Sequence, residues 1–220
     1  MNDAVSSSPK PISQDSVSKR LVSVDALRGF DMFWIIGAAG IVKALETLDG
    51  NAFFGFLVTQ LTHKEWEGFA FEDLIFPLFV FIVGISLVFS LGKLIEKEGK
   101  LIAHKRLFRR FLLMYLLGIF YYGGMSNHWP DIRLVGVLQR LALCYLFAGL
   151  LFCHLRTRGL IVVCVALLAG YWALLTFVPV PDVGTTTFAV GQNWACYVDK
   201  ILLPGKRIYG DGTWDPEGLL

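Results

Sequence analysis

Five long apolar stretches constrain the fold of this chain more than any other feature. They lie near residues 29–48, 74–92, 108–125, 134–154 and 159–178. Each has roughly the 17 to 25 residues that an α-helix needs to cross the ~30 Å hydrocarbon layer of a bilayer. Because that layer contains no water, backbone N–H and C=O groups must bond within each segment, which favours helices. The sequence therefore predicts an all-α integral membrane bundle with about five transmembrane helices.

Composition supports this prediction and excludes some classes of function. Hydrophobic residues make up 55% of the 220 residues and charged residues 17%, which is typical of an integral membrane protein. The formal net charge of +2 gives no reason to expect nucleic-acid binding. Cys144, Cys153 and Cys164 lie in apolar segments, and Cys196 stands alone in a polar loop. We therefore expect neither a disulfide framework nor a metal site.

The two ends of the chain differ from its centre. Residues 1–18 are rich in serine and have no apolar run, so we expect a disordered cytoplasmic tail rather than a signal peptide. Near the other end, Asp215, Pro216 and Glu217 form a helix-start pattern with Asp as the N-cap. The pattern predicts a sixth helix after an external loop at 179–214. Residues 19–220 are accordingly interpreted as the N-terminal part of a longer transmembrane domain.

The positions of lysine and arginine predict the orientation in the membrane. Residues 1–28, 92–110 and 155–158 carry four, seven and two of them, thirteen in all. The alternate connections 49–73, 123–133 and 179–220 carry one, one and three, five in all. Since the more basic connections stay in the cytoplasm, the N-terminus is predicted to be cytoplasmic in a multi-pass protein of the inner (cytoplasmic) membrane. The loop that contains His63 then faces outward.

His63 is the first candidate for chemistry. It lies in a polar loop just before the second apolar stretch, and Glu72 and Asp73 follow where that stretch begins. A lone loop histidine is more often an ordinary surface residue. A nearby carboxylate, however, fixes the tautomer of an imidazole and favours its charged form. We expect Asp73 to be this carboxylate, with Glu72 as the reserve, and Asp73 could also cap the following helix. His63 could then act as a general base or a nucleophile.

Two basic clusters lie on the predicted cytoplasmic side. Arg28 follows Asp25 by three residues, so the two side chains can pair on one helical face. The second cluster is HKRLFRR, residues 104–110. Anchoring to anionic lipid would explain both clusters. The alternative is a basic collar, formed by Arg28, Arg106, Arg109 and Arg110, that binds a phosphate-bearing ligand.

Further charged residues fall inside apolar stretches, where an ionisable group is a functional candidate by default. Arg133 and Arg140 recur at helical spacing with Gly136 between them, which predicts both guanidinium groups on one helix face. Snorkelling of Arg140 to the headgroups is the alternative. Asp31 is expected to pair with Arg28 or Lys19.

These stretches resemble one family, the heparan-α-glucosaminide N-acetyltransferases and their bacterial relatives, which are multi-pass transmembrane acyltransferases. The matching pieces, in the family's order, are RLVSVDALRG at 20–29, HKEWEGFAFEDLIFPLFVFIVGIS at 63–86, IRLVGVLQRLALCY at 132–145, VPVP at 178–181 and DPEGLL at 215–220. The pattern H-x-x-W-x-G-x-x-x-x-D-L-x-F-P is the most specific of them. The resemblance covers nearly all of the chain from residue 20 onward.

The resemblance implies an activity and roles for particular residues. It implies that acetyl-CoA is supplied from the cytoplasm and that the acetyl group reaches the amine of a glucosamine on the other side of the bilayer. His63 matches the family's active-site histidine. Beyond the resemblance, we expect Asp73 to be its orienting carboxylate, with Glu72 as the reserve. The basic collar would hold coenzyme A. As a separate hypothesis, Gln139 and Arg140 polarise the thioester carbonyl or contact the acceptor. Direct transfer and an acetyl-histidine intermediate both remain open, as does homo-oligomer formation.

Two other functions stay open at this stage. The same chemistry would serve an O-acyltransferase of a cell-envelope polysaccharide, because nitrogen and oxygen acceptors are not distinguished by these residues. A membrane transporter subunit would use Asp31 and Arg140 along an ion pathway. The apolar stretches lack the mid-helix Gly-Pro breaks that such a pathway favours. The fragment alone is not expected to be active, because the family continues for several more helices.

Overall fold

The computed structural model describes residues 22–47, 52–64, 67–124, 132–203 and 217–219. Over these ranges the chain forms seven α-helices and no β-strand, so the predicted all-α fold is confirmed. The helices are α1 (Val22–Glu46), α2 (Ala52–Gln60), α3 (Ile75–Glu98), α4 (Lys100–Tyr121), α5 (Val137–His154), α6 (Thr157–Phe177) and α7 (Trp194–Leu202). A 3₁₀ turn at Glu72–Leu74 leads directly into α3.

Helices occupy all five of the positions predicted to cross a membrane. Among the helices described, α3, α5 and α6 are long and apolar enough to do so. α1 and α4 have similar lengths, with 25 and 22 residues, but both carry charged residues in their interiors. Membrane crossing by these two helices therefore stays a prediction. The predicted tail at 1–18 and the helix start at Asp215 and Pro216 lie outside the described residues, and Glu217 lies in a turn.

Two short helices and one helix boundary differ from the sequence-based expectations. α2 and α7 lie in segments expected to be loops. α7 begins at a readable cap, since the Asn193 side chain accepts a hydrogen bond from the backbone N–H of Cys196 at 3.0 Å. α5 begins only at Val137, because Gly136 is fully extended with φ −171° and ψ 175°. Arg133 therefore precedes the helix, and the prediction that it shares a helix face with Arg140 is wrong.

The core lies between α3, α4 and α5. α4 packs most extensively against α5, and Leu107 and Ala103 of α4 are fully buried there. Leu87 and Leu91 of α3 join the same cluster. α3 and α4 are connected at Gly99, whose φ of 85° suits glycine. α1 packs against α3 and α2, whereas α6 contributes no buried residue.

Gly149 on α5 allows this close packing, because a Cβ at that position would lie 2.4 Å from Leu107 Cδ2. Gly84 on α3 is the matched control, since a Cβ there would meet nothing within 4 Å. Both Gly→Ala changes gain similar helix propensity. We expect Gly149→Ala to be less stable than Gly84→Ala by about 1–3 kcal/mol, the usual cost of overpacking. Thermal unfolding of the detergent-solubilised variants measures this difference, and equal midpoints would contradict the packing described here.

Candidate functional site

His63 and Asp73 form a hydrogen-bonded pair beside the start of α3. His63 Nδ1 lies 2.9 Å from Asp73 Oδ1. The second carboxylate oxygen of Asp73 accepts the backbone N–H of Ala70, also at 2.9 Å. Asp73 is thereby fixed on both sides, whereas the His63 side chain is 69% exposed. The pair therefore presents an oriented imidazole to solvent at one end of the bundle.

The two acids at 72 and 73 do not behave alike. Asp73 does not cap α3 as expected, because its carboxylate turns back toward the 63–70 loop and the N-cap of α3 is Leu74 without a side-chain bond. Glu72 Oε2 is buried without a hydrogen-bond partner in the described part of the chain. Asp73, rather than Glu72, thus provides the carboxylate that contacts His63.

α1 and α2 support the loop that carries this pair. Gln60, the last residue of α2, accepts the backbone N–H of Phe71 through Oε1 at 3.3 Å. The Phe71 ring packs edge-on against Trp34 of α1, with centroids 5.1 Å apart. Asp31, one turn before Trp34, is fully buried, and neither of its carboxylate oxygens has a hydrogen-bond partner among the residues described. The expected pair of Asp31 with Arg28 is therefore wrong, and Lys19 lies outside the described ranges.

Arg28 and Arg110 line a single apolar cavity of about 370 Å³. Arg28 Nη2 donates to Ser86 Oγ of α3 at 2.7 Å, and its Nη1 lies 3.6 Å from Asp25 as predicted. Arg110 Nη1 donates to the Tyr145 hydroxyl at 3.1 Å. The remaining lining is apolar and consists of Val83, Leu87, Leu113 and Met114. The cavity thus combines an apolar wall with two guanidinium groups held by hydroxyl partners.

Arg106 and Arg109 line a different cavity of about 250 Å³, near the connection between α3 and α4. Lys105 and Glu98 contribute to its wall. Leu94 lines this cavity and Leu87 lines the other; seven residues of helix separate them, about 10 Å along the axis. The structure therefore divides the four arginines of the predicted collar into two pairs at different depths.

Gln139 is fully buried between α4 and α5. Its side chain fits there because Gly118 and Gly136 have no Cβ. A Cβ added at Gly118 would lie 2.6 Å from the Gln139 side-chain amide carbon. Nε2 donates to the Arg133 carbonyl oxygen at 3.5 Å. Gln139 thus contacts α4 and the segment before α5 rather than His63, and Arg140 lies half-buried at the next position.

Residues 217–219 dock onto this same region through contacts that the sequence did not predict. Arg133 forms an ion pair with Glu217, and its guanidinium carbon lies 4.8 Å from the centroid of the Tyr122 ring. The buried Asp199 of α7 accepts the backbone N–H of Leu219 at 2.7 Å. A Cβ on Gly218 would come within 2.0 Å of Asp199 Oδ2. Because Arg133 and Glu217 are 84 residues apart, no local spacing could have revealed their contact.

In the described ranges, no cluster of three or more His, Cys, Asp or Glu side chains could hold a metal ion. The groups that could hold a cofactor are the arginines of the two cavities. Guanidinium groups suit phosphate and carboxylate ligands because they donate in a planar fork.

Comparison with known proteins identifies a consistent set of relatives. A profile of the family described as heparan-alpha-glucosaminide N-acetyltransferase, catalytic, matches residues 20–195. The heparan-alpha-glucosaminide N-acetyltransferase of Mus musculus is 26% identical over 271 aligned positions, which cover 99% of this chain and 39% of the mouse protein. That of Homo sapiens is 28% identical over 253 positions, which cover 91% of this chain and 36% of the human protein. The chain thus spans less than two fifths of the length of these relatives.

The geometry of the pair predicts the tautomer of His63. With Asp73 Oδ1 as acceptor, the proton of the neutral imidazole should reside on Nδ1. In Asp73→Asn the amide can donate to Nδ1 instead, so the proton should move to Nε2. Nitrogen NMR of ¹⁵N-histidine-labelled protein measures this tautomer, and His63→Gln identifies the signal. Glu72→Gln is the matched control and should leave the tautomer unchanged; an unchanged tautomer in Asp73→Asn would contradict the assigned pair.

Proposed function

Because the chain belongs to the family of heparan-alpha-glucosaminide N-acetyltransferase catalytic domains, we propose that the protein is a transmembrane acetyltransferase. It takes the acetyl group from acetyl-CoA on the cytoplasmic side and transfers it to an amino sugar or glycan amine on the other side. The observation that carries this proposal is the His63–Asp73 pair, held at 2.9 Å with an exposed imidazole. The basic residues near the far end of α3 support the same arrangement.

Asp73 positions His63 for proton transfer. When Nδ1–H donates to Asp73, the lone pair of Nε2 points away from the carboxylate and can accept a proton. In direct transfer, the amine nitrogen attacks the thioester carbonyl carbon, Nε2 takes the amine proton, and the C–S bond breaks to release coenzyme A as its thiolate. In the alternative, Nε2 attacks the thioester carbonyl carbon and the C–S bond breaks to release coenzyme A as its thiolate. The amine nitrogen then attacks the acetyl carbon, the bond from Nε2 to that carbon breaks, and the freed imidazole takes the amine proton. Both routes use the same pair of residues.

The two arginine-lined cavities suit different parts of coenzyme A. The shallow cavity offers Lys105, Arg106 and Arg109 to the phosphates of the nucleotide, which are polyanionic and bind guanidinium groups well. The deeper cavity has an apolar wall suited to the thinner thioester arm, with Arg28 and Arg110 at its edge. Ser86 of this cavity lies eleven residues after Ile75, about 16 Å along α3 from the end that carries His63. This position is consistent with the proposal that the arm extends from the cytoplasmic end toward the catalytic pair.

The proposed function predicts that transfer depends on His63 and on the face of the membrane to which acetyl-CoA is supplied. In proteoliposomes of the full-length protein sorted for one orientation, acetyl-CoA on the cytoplasmic face should acetylate glucosamine on the opposite face. We expect His63→Ala to slow this transfer about 10²–10⁴-fold, the usual contribution of a positioned general base, and Asp73→Asn to slow it less. The matched control is His154→Ala, because His154 is an exposed histidine at the C-terminal end of α5.

Three outcomes, two from transfer assays and one from a binding measurement, would contradict the proposal. Equal transfer by wild type and His63→Ala would remove His63 from the site. Transfer to a hydroxyl acceptor but not to glucosamine would favour an O-acyltransferase. Absence of any binding of coenzyme A by the full-length protein would exclude the acetyltransferase.

The basic residues predict a salt-dependent affinity for coenzyme A. Neutralising Arg109 to Gln should weaken binding about fivefold at low salt, equivalent to ~1 kcal/mol for an exposed charge pair. The loss should shrink at high salt because counterions screen exposed charges. Arg158→Gln, in the first turn of α6 and outside both cavities, is the control. Titration calorimetry of the full-length protein measures the affinities, and an Arg109→Gln affinity equal to wild type would remove Arg109 from the site.

A further inference from the structure

A third cavity opens beside the loop of His63. Its volume is about 310 Å³, at the lower end of the range for small-molecule sites. The lining residues are Glu67, Tyr171, Leu175, Phe188, Asn193 and Ala195. They come from three parts of the chain: the His63 loop, the last two turns of α6, and the segment 188–195 that includes the start of α7. Nothing in the reaction described above uses this cavity.

The position of the cavity links it to the imidazole. Glu67 follows His63 by four residues, so their Cα atoms cannot be more than about 14 Å apart. α4 and α5 run in opposite directions, since Leu107 packs against Gly149 and Gly118 against Gln139. The end of α6 lies near the His63 loop, because both line this cavity. Tyr171 and Leu175 meet Glu67 there. A ligand in this cavity would therefore lie at the end of the protein where His63 is exposed.

The polar side chains of Asn193 and Glu67 differ in whether their hydrogen-bonding groups are already used within the protein. Asn193 is buried, and both ends of its amide are used: Oδ1 accepts from Cys196 N at 3.0 Å and Nδ2 donates to Ala189 O at 3.2 Å. Its role is to shape the wall. Glu67 is exposed and makes no ion pair or hydrogen bond with any other residue that the structure describes. The carboxylate of Glu67 is thus available to a ligand.

Two aromatic rings accompany this carboxylate. Tyr171 is 42% exposed and Phe188 is 55% exposed, so both offer ring surface to the cavity. An aromatic ring packs against apolar C–H surface and attracts a cation over its face. A carboxylate forms its strongest hydrogen bonds with a charged donor such as an ammonium group. The combination suits a small ring that has a C–H face and a protonated amine.

We propose that this cavity is the acceptor subsite, in which Glu67 binds the protonated amine of an amino sugar and Tyr171 and Phe188 pack against the sugar ring. The proposal rests on the proposed acetyltransferase function and names the place where the acceptor waits for His63. Glu67 acts here in binding and orientation, while proton removal stays with His63. Discrimination between an amine and a hydroxyl acceptor then arises from the charge of Glu67.

The test compares Glu67→Gln with Glu46→Gln in the full-length protein. Glu46 is an exposed acid in the last turn of α1 and does not line the cavity. Steady-state kinetics with glucosamine and acetyl-CoA varied separately should show KM for glucosamine raised about tenfold in Glu67→Gln, in line with a lost charge-assisted hydrogen bond. KM for acetyl-CoA and kcat should stay within about twofold, and Glu46→Gln should match wild type. Phe188→Ala should raise the same KM through lost ring contact.

A second measurement separates this inference from the proposed function. Saturation-transfer NMR detects binding of glucosamine without acetyl-CoA, with glucose as the uncharged comparison. Wild type should bind glucosamine more tightly than glucose, and Glu67→Gln should lose that preference. Unchanged glucosamine binding in Glu67→Gln overturns the subsite even if acetyl transfer is intact. Conversely, Glu67-dependent binding without any His63-dependent transfer would support the subsite and overturn the proposed reaction. In the kinetic experiment, equal rises of KM for glucosamine and for acetyl-CoA would assign Glu67 a structural role and overturn the subsite.

Discussion

A polar side chain within a membrane helix needs a partner inside the protein, because the surrounding hydrocarbon offers none. In α1 and α4, which are predicted to cross the membrane, two arginines meet this constraint through bonds to neighbouring helices, whereas the carboxylate of Asp31 has no such partner among the described residues. Arg28 of α1 donates to Ser86 of α3, and Arg110 of α4 donates to Tyr145 of α5. Both arginines line one cavity, and their bonds join α1 to α3 and α4 to α5. The hydrogen bonds that stabilise the two guanidinium groups therefore also determine the shape of the cavity.

The helical framework could largely be predicted from the sequence, because a membrane-spanning helix is encoded locally by length and hydropathy. α2 and α7 were missed because each has only nine residues, too few to span a bilayer. α7 nevertheless has a local signal in Asn193, whose side chain caps it. The sequence predicts an earlier start for α5, near residue 134, because the apolar stretch runs through Gly136. In the structure the helix begins after Gly136, because the backbone of that glycine is extended.

The candidate site shows a similar division between local and distant information. His63 and Asp73 are only ten residues apart, so their pairing could be predicted from the sequence. The division of the arginines into two pairs could not, because it depends on the packing of α1 and α5 against α3 and α4. The contact of Arg133 with Glu217 is equally non-local, yet it fixes the segment whose carbonyl accepts the Gln139 amide. Gln139 thus belongs to the packing of α4 and α5, and its predicted role toward the thioester finds no contact that supports it.

The ends of α3 give the proposed reaction its direction. α3 has 24 residues and is therefore about 36 Å long, with His63 near its start and the cavity of Arg106 and Arg109 near its end. A nucleotide with several negative charges is too costly to move through hydrocarbon, so in the proposed reaction it remains at the basic end and only the acetyl arm extends inward. The amine proton poses no comparable problem, because the His63 side chain is 69% exposed. A proton taken up by His63 can leave to solvent at the same end, and the bundle needs no proton path between the two faces.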